Sequence, residues 1–131
     1  MTNEEIRAFI ERAIAENEVM LFMKGTPTEP RCGFSARSAS MLNTLSVQYA
    51  ALDILPDPRI KQELIEVSGW PTTPQLFVKG ELIGGCDIMT EMYESGELAQ
   101  TLGVEMPADE QADLGQPDPT QGPISLENRL G

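Results

Sequence analysis

With 131 residues, the chain has the length of one domain and can bury a hydrophobic core without disulfide bridges. Its 21 Asp and Glu residues against 9 Lys and Arg give a net charge of −12, which argues against nucleic acid or an anionic membrane surface as a partner. The chain has no histidine, which excludes Ser-His-Asp or Cys-His catalysis and His-ligated zinc from its own residues.

The apolar runs and the cysteines indicate the cellular compartment. The longest apolar runs, such as residues 19–23, are too short to span a membrane. Residues 1–5 are acidic and lack the apolar core of a signal peptide, so we expect no export signal. Cys32 and Cys86 are then expected to be free thiols in a reducing compartment, either the cytoplasm or the matrix of an organelle of bacterial descent.

The chain begins with a predicted helix and a predicted buried strand. Thr2 and Glu5 have the spacing of a capping box, which opens the helix, and Asn17 is expected to end it. Its apolar residues recur at helical spacing and are expected in the core: Ile6, Phe9, Ile10, Ala13 and Ile14. The continuous apolar run of residues 19–23 predicts a strand buried on both faces of a sheet.

Cys32 lies between a loop rich in proline and glycine, residues 25–31, and a predicted helix. Apolar residues at helical spacing indicate that helix: Phe34, Ala36, Ala39, Leu42 and Leu45. At a helix N-terminus, free backbone N–H groups and the helix dipole favour an anion, so the Cys32 thiol is expected to ionise readily. Arg31 beside it adds positive charge. The alternative is a buried structural cysteine.

Lys24 directly follows the first predicted strand. Ligands of open α/β sheets bind beyond the carboxyl ends of the strands. Lys24 is therefore expected where it can neutralise an anion near Cys32. The alternative is a solvated surface lysine.

A second strand and a third helix follow. Residues 48–53 predict the strand, and Asp57 is expected to cap a helix that Gly69 ends. Arg59 and Lys61 lie in the first turn of this helix, where cations oppose the helix dipole. A bound anionic group would explain why two cations occupy this turn. The alternative is that both side chains are simply solvated.

A proline-rich stretch leads into the third strand. Residues 70–74 read Trp-Pro-Thr-Thr-Pro, and the apolar strand of residues 75–78 follows at once. A proline that enters a strand directly is unusual, and because an X–Pro bond can be held cis at low cost, this stretch is a candidate for a special turn. Residues 79–80 predict a two-residue hairpin turn, and residues 81–83 return as an antiparallel strand.

Residues 84–87, which read Gly-Gly-Cys-Asp, form a second candidate site. The glycines allow close backbone approach, and Asp87 is expected to cap a helix that begins at Ile88. Exposed N–H groups at that helix start could hold a carboxylate. The alternative for the two glycines is a tight connection between a strand and a helix.

The order of the elements predicts the fold and its boundaries. Helices alternate with strands, and a hairpin and further helices complete the order, so we expect a central mixed sheet with helices on both faces. Residues 1–104 form this α/β domain. Residues 105–131 are acidic and rich in proline, which predicts a disordered tail.

Four motifs, in the same order, resemble those of the monothiol glutaredoxins of the CGFS type. They are Met23-Lys24-Gly25-Thr26-Pro27, Cys32-Gly33-Phe34-Ser35, Trp70-Pro71-Thr72-Thr73-Pro74-Gln75 and Gly84-Gly85-Cys86-Asp87. The resemblance covers residues 6–102 and implies the thioredoxin fold, with a central four-stranded mixed sheet flanked by helices. The acidic tail lies outside the family pattern.

The resemblance also implies residue roles. Cys32 is the catalytic position, which forms a mixed disulfide with glutathione and ligates a 2Fe–2S cluster. The residues that match glutathione-binding positions are Lys24, Lys61, Thr73, Pro74, Cys86 and Asp87. Of these, Lys24 lies beside the thiol and Lys61 holds a glutathione carboxylate. Thr73 precedes a cis-proline of the family at Pro74 and pairs with the tripeptide through its backbone, and Cys86 and Asp87 bind the γ-glutamyl end.

Ser35 and the number of cluster ligands then predict an assembly. Because the fourth motif position is serine, Cys32 cannot close a local disulfide, and it can accept a glutathionyl group or ligate metal instead. A 2Fe–2S cluster needs four ligands, usually thiolates. The simplest assembly is a homodimer in which each chain gives Cys32 and two glutathione thiolates complete the set.

The predicted function is a carrier of 2Fe–2S clusters in iron–sulfur assembly and iron homeostasis, because a cluster held partly by an exchangeable thiol is easily handed on. The resemblance adds two kinds of partner: BolA-type proteins, which can supply a histidine ligand, and apo iron–sulfur acceptor proteins. One alternative is an enzyme, a glutathione-dependent thiol–disulfide oxidoreductase that acts through Cys32. A second alternative is a metal-free interaction module.

Overall fold

A computed structural model describes residues 1–104, and the tail predicted for residues 105–131 lies outside the described residues. The helices are α1 Asn3–Glu16, α2 Gly33–Thr44, α3 Pro58–Ser68, α4 Cys86–Ser95 and α5 Glu97–Leu102. The strands are β1 Val19–Met23, β2 Ala50–Asp53, β3 Gln75–Val78 and β4 Glu81–Gly84. The predicted order of helices and strands is confirmed.

The four strands form one mixed sheet in the order β2-β1-β3-β4. Strand β1 runs parallel to β2, with Met23 opposite Asp53, and antiparallel to β3, with Phe22 opposite Gln75. All of β1 is buried, as its apolar run predicted. The carboxyl ends of β1 and β2 therefore lie side by side, and Lys24 follows β1 at this edge.

Two hydrophobic cores lie on opposite faces of the sheet, because successive side chains of β1 point to opposite faces. One core packs Leu21 against residues of α2, α4 and α5. The other packs Phe22 against residues of α1 and α3, and the Phe22 ring meets Phe77 edge-on with the ring centroids 5.7 Å apart. Helices thus cover both faces of the sheet, as predicted.

Side-chain caps determine where the first and third helices begin. Thr2 and Glu5 form the predicted capping box, in which Thr2 Oγ1 accepts from the Glu5 N–H at 3.1 Å and Glu5 Oε1 accepts from the Thr2 N–H at 2.7 Å. Asp57 caps α3 by accepting from the Arg59 N–H at 2.9 Å. Gly69 ends α3 in the left-handed region, with φ of 72°. These boundaries are confirmed.

The loops around β3 also take the predicted form. The Thr73–Pro74 peptide bond is cis. Lys79 and Gly80 have φ of 52° and 84°, the signs that a tight hairpin turn requires, and they join β3 to β4. Within residues 1–104, no helix combines the length and the apolar content that a bilayer span requires.

Two predictions, one about a helix face and one about a strand end, were wrong. Phe9, which helical spacing placed in the core, is 45% exposed. In α1 the buried positions Ile6, Ile10 and Ile14 are four residues apart, so Phe9 falls at the edge of the buried face. In α2, Phe34 lies in the first turn and is 62% exposed. Strand β2 begins at residue 50 instead of residue 48.

The predicted cap of α4 was also wrong. The helix begins at Cys86 rather than Ile88, its N-cap is Gly85, and no side chain caps it. Asp87 lies inside the first turn. Gly85 has the extended backbone of an N-cap, with φ of −96° and ψ of −165°, so the helix starts directly after it.

Candidate functional site

Cys32 is the N-cap of α2, as predicted. Its backbone is extended, with φ of −152° and ψ of 154°, while its Sγ accepts a hydrogen bond from the Ser35 N–H at 3.4 Å. The thiol therefore takes the place that a Ser or Asp oxygen usually takes at a helix start. The residue is half-buried and its thiol is free, so the alternative of a buried structural cysteine is not supported.

The surroundings of the sulfur favour its ionised form. Partial burial raises the pKa of the Cys32 thiol, but hydrogen bonds from the Ser35 side chain and from the N–H groups of Ser35 and Phe34 lower it, as does the charge of Lys24. The net result is a pKa below the ordinary value of a cysteine. Thiolate is the nucleophilic and metal-binding form, so the site is suited to thiol exchange or metal ligation.

Ser35 connects the thiol to the end of β1. Its side chain is fully buried, and its Oγ lies 3.5 Å from Cys32 Sγ. The same oxygen accepts from the Lys24 N–H at 2.9 Å. The Lys24 carbonyl in turn accepts from the Arg31 N–H at 2.9 Å. Lys24 is thus held next to Cys32 by its backbone, which agrees with the position expected for it.

Asp53 is a residue of this region that sequence reasoning missed. One carboxylate oxygen, Oδ1, accepts from the Gly25 N–H and from the Leu55 N–H, both at 2.9 Å. Asp53 is the last residue of β2, the strand parallel to β1. An acidic residue at that end of a strand is the signal that could have identified it.

The loop before β3 is held by a buried glutamine. The Gln75 side-chain amide donates to the carbonyl oxygens of Trp70 and Thr72, each at 2.9 Å. This pair of bonds organises the loop that carries Thr73 and Pro74. Gln75 is fully buried in β3, so the loop is attached directly to the sheet.

The two glycines before α4 are explained by close packing. A Cβ on Gly84 would lie 2.9 Å from Ile88 Cβ, and one on Gly85 would lie 3.3 Å from the Pro74 carbonyl oxygen. The start of α4 therefore lies against the cis-proline loop, which brings Pro74 and Cys86 into one region. A tight strand-to-helix connection, the alternative reading of the glycines, is also correct.

Cys86 and Asp87 differ in accessibility. Cys86 is buried, with 7% of its surface exposed, and its Sγ lies 4.0 Å from Thr90 Oγ1. Arg37 of α2 donates to Thr90 Oγ1 at 3.2 Å, so a cation from the thiol-bearing helix lies near this helix start. Asp87 is exposed. Sequence reasoning had not identified the Arg37 contact.

Lys61 and Arg59 of α3 have different partners. Arg59 donates to both carboxylate oxygens of Asp57, the closest at 2.8 Å, and also to the Met1 carbonyl at 2.6 Å. Lys61 is exposed, and its side chain makes no hydrogen bond or ion pair within residues 1–104. Lys61 is thus the first-turn cation left available, and its contact with a ligand remains a prediction.

The donor set for a metal is small. Within the described part of the chain, no group of three or more His, Cys, Asp or Glu side chains is placed to hold a metal ion. Cys32 offers one accessible thiolate, which fits one ligand position of an iron–sulfur cluster, and Cys86 is buried. One chain could therefore supply only part of a cluster's ligands.

Comparisons with known proteins agree with the motifs. The glutaredoxin family model matches residues 19–83. "Probable monothiol glutaredoxin 2" of Rickettsia felis is 47% identical over 102 residues, 78% of this chain and 98% of that protein. "Glutaredoxin 4" of Escherichia coli K12 is 52% identical over 93 residues, 71% of this chain and 81% of that protein.

Solved structures show the same fold. The solution structure of reduced poplar apo GrxS14 superposes with a TM-score of 0.69 at 38% identity, over 79% of this chain and 95% of that one. The mature form of Trypanosoma brucei 1CGrx1 gives a TM-score of 0.67 at 40% identity, over 79% and 75% of the two chains. The thioredoxin fold predicted from the resemblance is confirmed. At this level of identity, and with a single cysteine in its Cys-Gly-Phe-Ser motif, the chain belongs to the monothiol glutaredoxin family.

Proposed function

We propose that the protein binds glutathione at Cys32 and, as a homodimer, carries a 2Fe–2S cluster to acceptor proteins in iron–sulfur assembly and iron homeostasis. The observation that carries this proposal is the isolation of an ionisable thiol. Cys32 is accessible and hydrogen-bonded at a helix start, and Ser35 occupies the position from which a second thiol could resolve it.

The glutathione part of the proposal is supported by local charge. Glutathione is anionic, and the chain is strongly acidic, so its binding requires local positive charge. Lys24 lies next to the thiol, because its N–H donates to Ser35 Oγ at 2.9 Å and that oxygen lies 3.5 Å from Cys32 Sγ. Lys61 is exposed in the first turn of α3. Together with the start of α2, they provide the positive potential that glutathione needs.

The number of ligands supports the cluster part. A 2Fe–2S cluster requires four ligands, and one chain has one accessible thiolate. Two chains and two glutathione molecules supply four thiolates. The cluster is cargo in this proposal, because glutathione exchanges with solution and leaves the cluster easy to release.

The proposed partners follow from the same chemistry. A BolA-type protein can replace one protomer and offer a histidine, a residue absent from this chain. Apo iron–sulfur proteins then receive the cluster. Thiolate ligands persist in a reducing compartment such as the cytoplasm, where we propose that the protein works.

Anaerobic reconstitution tests the proposal directly. Wild-type protein is incubated with ferrous iron, sulfide and glutathione, then desalted, and its visible absorption and circular dichroism are recorded. We expect sulfur-to-iron charge-transfer bands that disappear in Cys32→Ser and are absent when glutathione is omitted. The bands should survive in Cys86→Ser, because the Cys86 thiol is buried.

Two results would contradict the proposed function as a cluster carrier. Bands that persist in Cys32→Ser would show that the cluster is held elsewhere, and bands that form equally well without glutathione would remove it as a ligand. Transfer is tested by adding an apo ferredoxin, whose own spectrum should replace that of the donor within minutes.

A glutathione-dependent oxidoreductase is the second candidate, and the lowered pKa of Cys32 favours it. In this reaction the Cys32 thiolate attacks the mixed disulfide of a glutathionylated protein, forms a Cys32–glutathione disulfide and releases the protein thiolate. A second glutathione then reduces Cys32 and leaves as glutathione disulfide. Sustained turnover of a glutathionylated peptide, with no cluster formed on reconstitution, would favour this function.

A further inference from the structure

We propose that Asp53 is a positioning residue that holds the Lys24–Gly25 peptide and thereby keeps Lys24 beside Cys32. This inference rests on the proposed function, since it assigns Asp53 a part in glutathione capture at the same site. No chemical step is assigned to Asp53 itself.

The Lys24–Gly25 peptide unit is held at both of its polar ends. Its carbonyl accepts from the Arg31 N–H and its N–H donates to Asp53 Oδ1, each at 2.9 Å. Because a peptide unit is planar, two bonds on opposite sides fix its orientation. That orientation determines where the chain directs the Lys24 side chain.

The two neighbouring residues leave this turn little freedom. Gly25 is buried with φ of +87°, and a Cβ there would lie 2.7 Å from the Arg31 nitrogen and in collision with the Glu29 carbonyl oxygen. On the other side, the Lys24 N–H is bonded to Ser35 Oγ. The Asp53 carboxylate is the side-chain contact that connects this turn to the neighbouring strand, next to the backbone bond in which the Ile54 N–H donates to the Met23 carbonyl at 2.9 Å.

Asp53 is used here as an acceptor of backbone hydrogen bonds. The same oxygen accepts from the Leu55 N–H, so one side chain ties together the loops that follow β1 and β2. Within residues 1–104, Asp53 forms no ion pair. A neutral amide of the same shape can accept these bonds, which separates a positioning role from a role of the charge.

The experiment measures glutathionylation of Cys32 in the full chain. The probe is glutathione disulfide: the Cys32 thiolate attacks it, a Cys32–glutathione disulfide forms, and one glutathione thiolate leaves. The equilibrium constant is read by mass spectrometry over a range of ratios of reduced to oxidised glutathione. We expect it to fall about fivefold in Asp53→Ala, and to stay within about twofold of wild type in Asp53→Asn.

Lys24 provides the test of mechanism. If Asp53 acts through Lys24, then adding Asp53→Ala to Lys24→Ala should change the equilibrium constant by less than about twofold. A full fivefold further loss in the double variant would overturn the proposal. Loss in Asp53→Asn as large as in Asp53→Ala would also overturn it, because the charge would then be the cause.

Thr2→Ala controls for a general loss of stability. It removes the capping box of α1, far along the chain from the turn, and it should leave the equilibrium constant unchanged while lowering the unfolding midpoint. If Asp53→Ala and Thr2→Ala alter glutathionylation equally, Asp53 has no special role.

A second readout separates this inference from the proposed function. The pH profile of Cys32 alkylation by iodoacetamide, followed on the Cys32 peptide, requires no glutathione. If wild type forms no glutathione disulfide, the proposed function fails. The alkylation profile then still tests the role of Asp53. A shift of the profile in Asp53→Ala that is absent in Asp53→Asn supports the role, and an unshifted profile in Asp53→Ala overturns it.

Discussion

At the scale of single residues, Ser35 has two effects on the chemistry of Cys32. Its identity removes the local resolving thiol, which the sequence alone makes plain. Its buried hydroxyl also connects Cys32 Sγ to the Lys24 N–H, which only the folded chain reveals. When the sulfur is ionised, the hydroxyl can donate its proton to it. Ser35 therefore favours the thiolate and helps to place the nearby cation.

We expect Ser35→Ala to raise the pKa of the Cys32 thiol, because one of the hydrogen bonds that lower it is lost. The substitution also leaves the part-buried Lys24 N–H without its acceptor, which should cost about 1–3 kcal/mol of unfolding free energy. The rate of Cys32 alkylation as a function of pH gives the pKa, and urea unfolding gives the stability.

Ser38→Ala is the matched control. Ser38 is equally buried in the same helix, but its hydroxyl donates to the Phe34 carbonyl at 2.9 Å and does not contact the thiol. The Ser38→Ala variant should be less stable than wild type but keep the wild-type pH profile of Cys32 alkylation. Equal shifts of the profile in both variants would refute the role of the Ser35 hydroxyl.

The lowered pKa also determines the sign of a pH effect on stability. The folded chain favours the Cys32 thiolate, so this group stabilises the fold at pH values above the ordinary pKa of a cysteine. The contribution disappears as the pH falls through the lowered pKa. The reactivity of the Cys32 thiol also falls as the pH falls, because the thiolate is the nucleophile.

At the scale of the elements, four of the residues predicted for the site lie at or near the starts of three helices: Cys32, Lys61, Cys86 and Asp87. Cys32 caps α2, Asp57 caps α3 and Gly85 precedes α4. Each cap has a different consequence. A sulfur cap gives a reactive group, a carboxylate cap gives a fixed helix start, and a glycine cap leaves the first N–H groups without a side-chain partner.

The pKa of the Asp57 carboxyl is a measurable property of the carboxylate cap. Hydrogen bonds from the Arg59 side chain and from the Arg59 N–H lower the pKa of the Asp57 carboxyl to about 2. This group therefore stabilises the fold above the ordinary aspartate range and loses its effect as the pH falls toward 2. Carbon-13 NMR titration of the carboxyl should give this value in wild type.

Arg59→Ala should raise the pKa of Asp57 toward the ordinary range, because the largest cause of the shift is removed. The backbone N–H at position 59 remains, so a part of the lowering should persist. Arg12→Ala removes an exposed cation elsewhere and is the control. An unchanged Asp57 titration in Arg59→Ala would contradict the assignment.

At the scale of the whole molecule, the sheet separates two hydrophobic cores. Leu42 belongs to the core under α2, α4 and α5, and Ile10 belongs to the core under α1 and α3. Both side chains are fully buried. Because the sheet lies between them, the two cores share no direct packing and their contributions to stability should be independent.

Additivity of two core substitutions tests this separation. We expect Leu42→Ala to cost about 2–5 kcal/mol and Ile10→Val about 0.5–1.5 kcal/mol of unfolding free energy. The double variant should lose the sum to within about 0.5 kcal/mol, as for independent sites. Urea unfolding measures all three. A larger deviation would mean that the sheet transmits strain between its faces.

Oligomeric state provides the second prediction at this scale. If two chains share a cluster, the mass by light scattering should be that of a dimer after reconstitution and that of a monomer after an iron chelator is added. Cys32→Ser should remain a monomer throughout. A dimer that resists chelation would assign the contact between chains to protein surfaces instead of the cluster.

Local sequence patterns predicted the elements well and the details of the site less well. The caps of α1 and α3, the buried run of β1 and the 79–80 turn depend on neighbouring residues, so they could be read directly. Phe9 was misplaced because periodicity alone does not show how wide a helix face is buried. The cap of α4 was misplaced because the N-cap is Gly85, which has no side chain and therefore leaves no capping signal in the sequence.

By itself, the sequence determined that one thiol lies at a helix start without a local partner, and that four motifs match those of the monothiol glutaredoxins. Both are properties of residues close together in the chain or of their order. Only the tertiary structure decided that Asp53 and Ser35 hold the two sides of the Lys24 turn. The bond between Lys24 and Ser35 spans 11 positions of the sequence, and the bond between Gly25 and Asp53 spans 28. Both exist only because β1 pairs with β2 and α2 packs beside them.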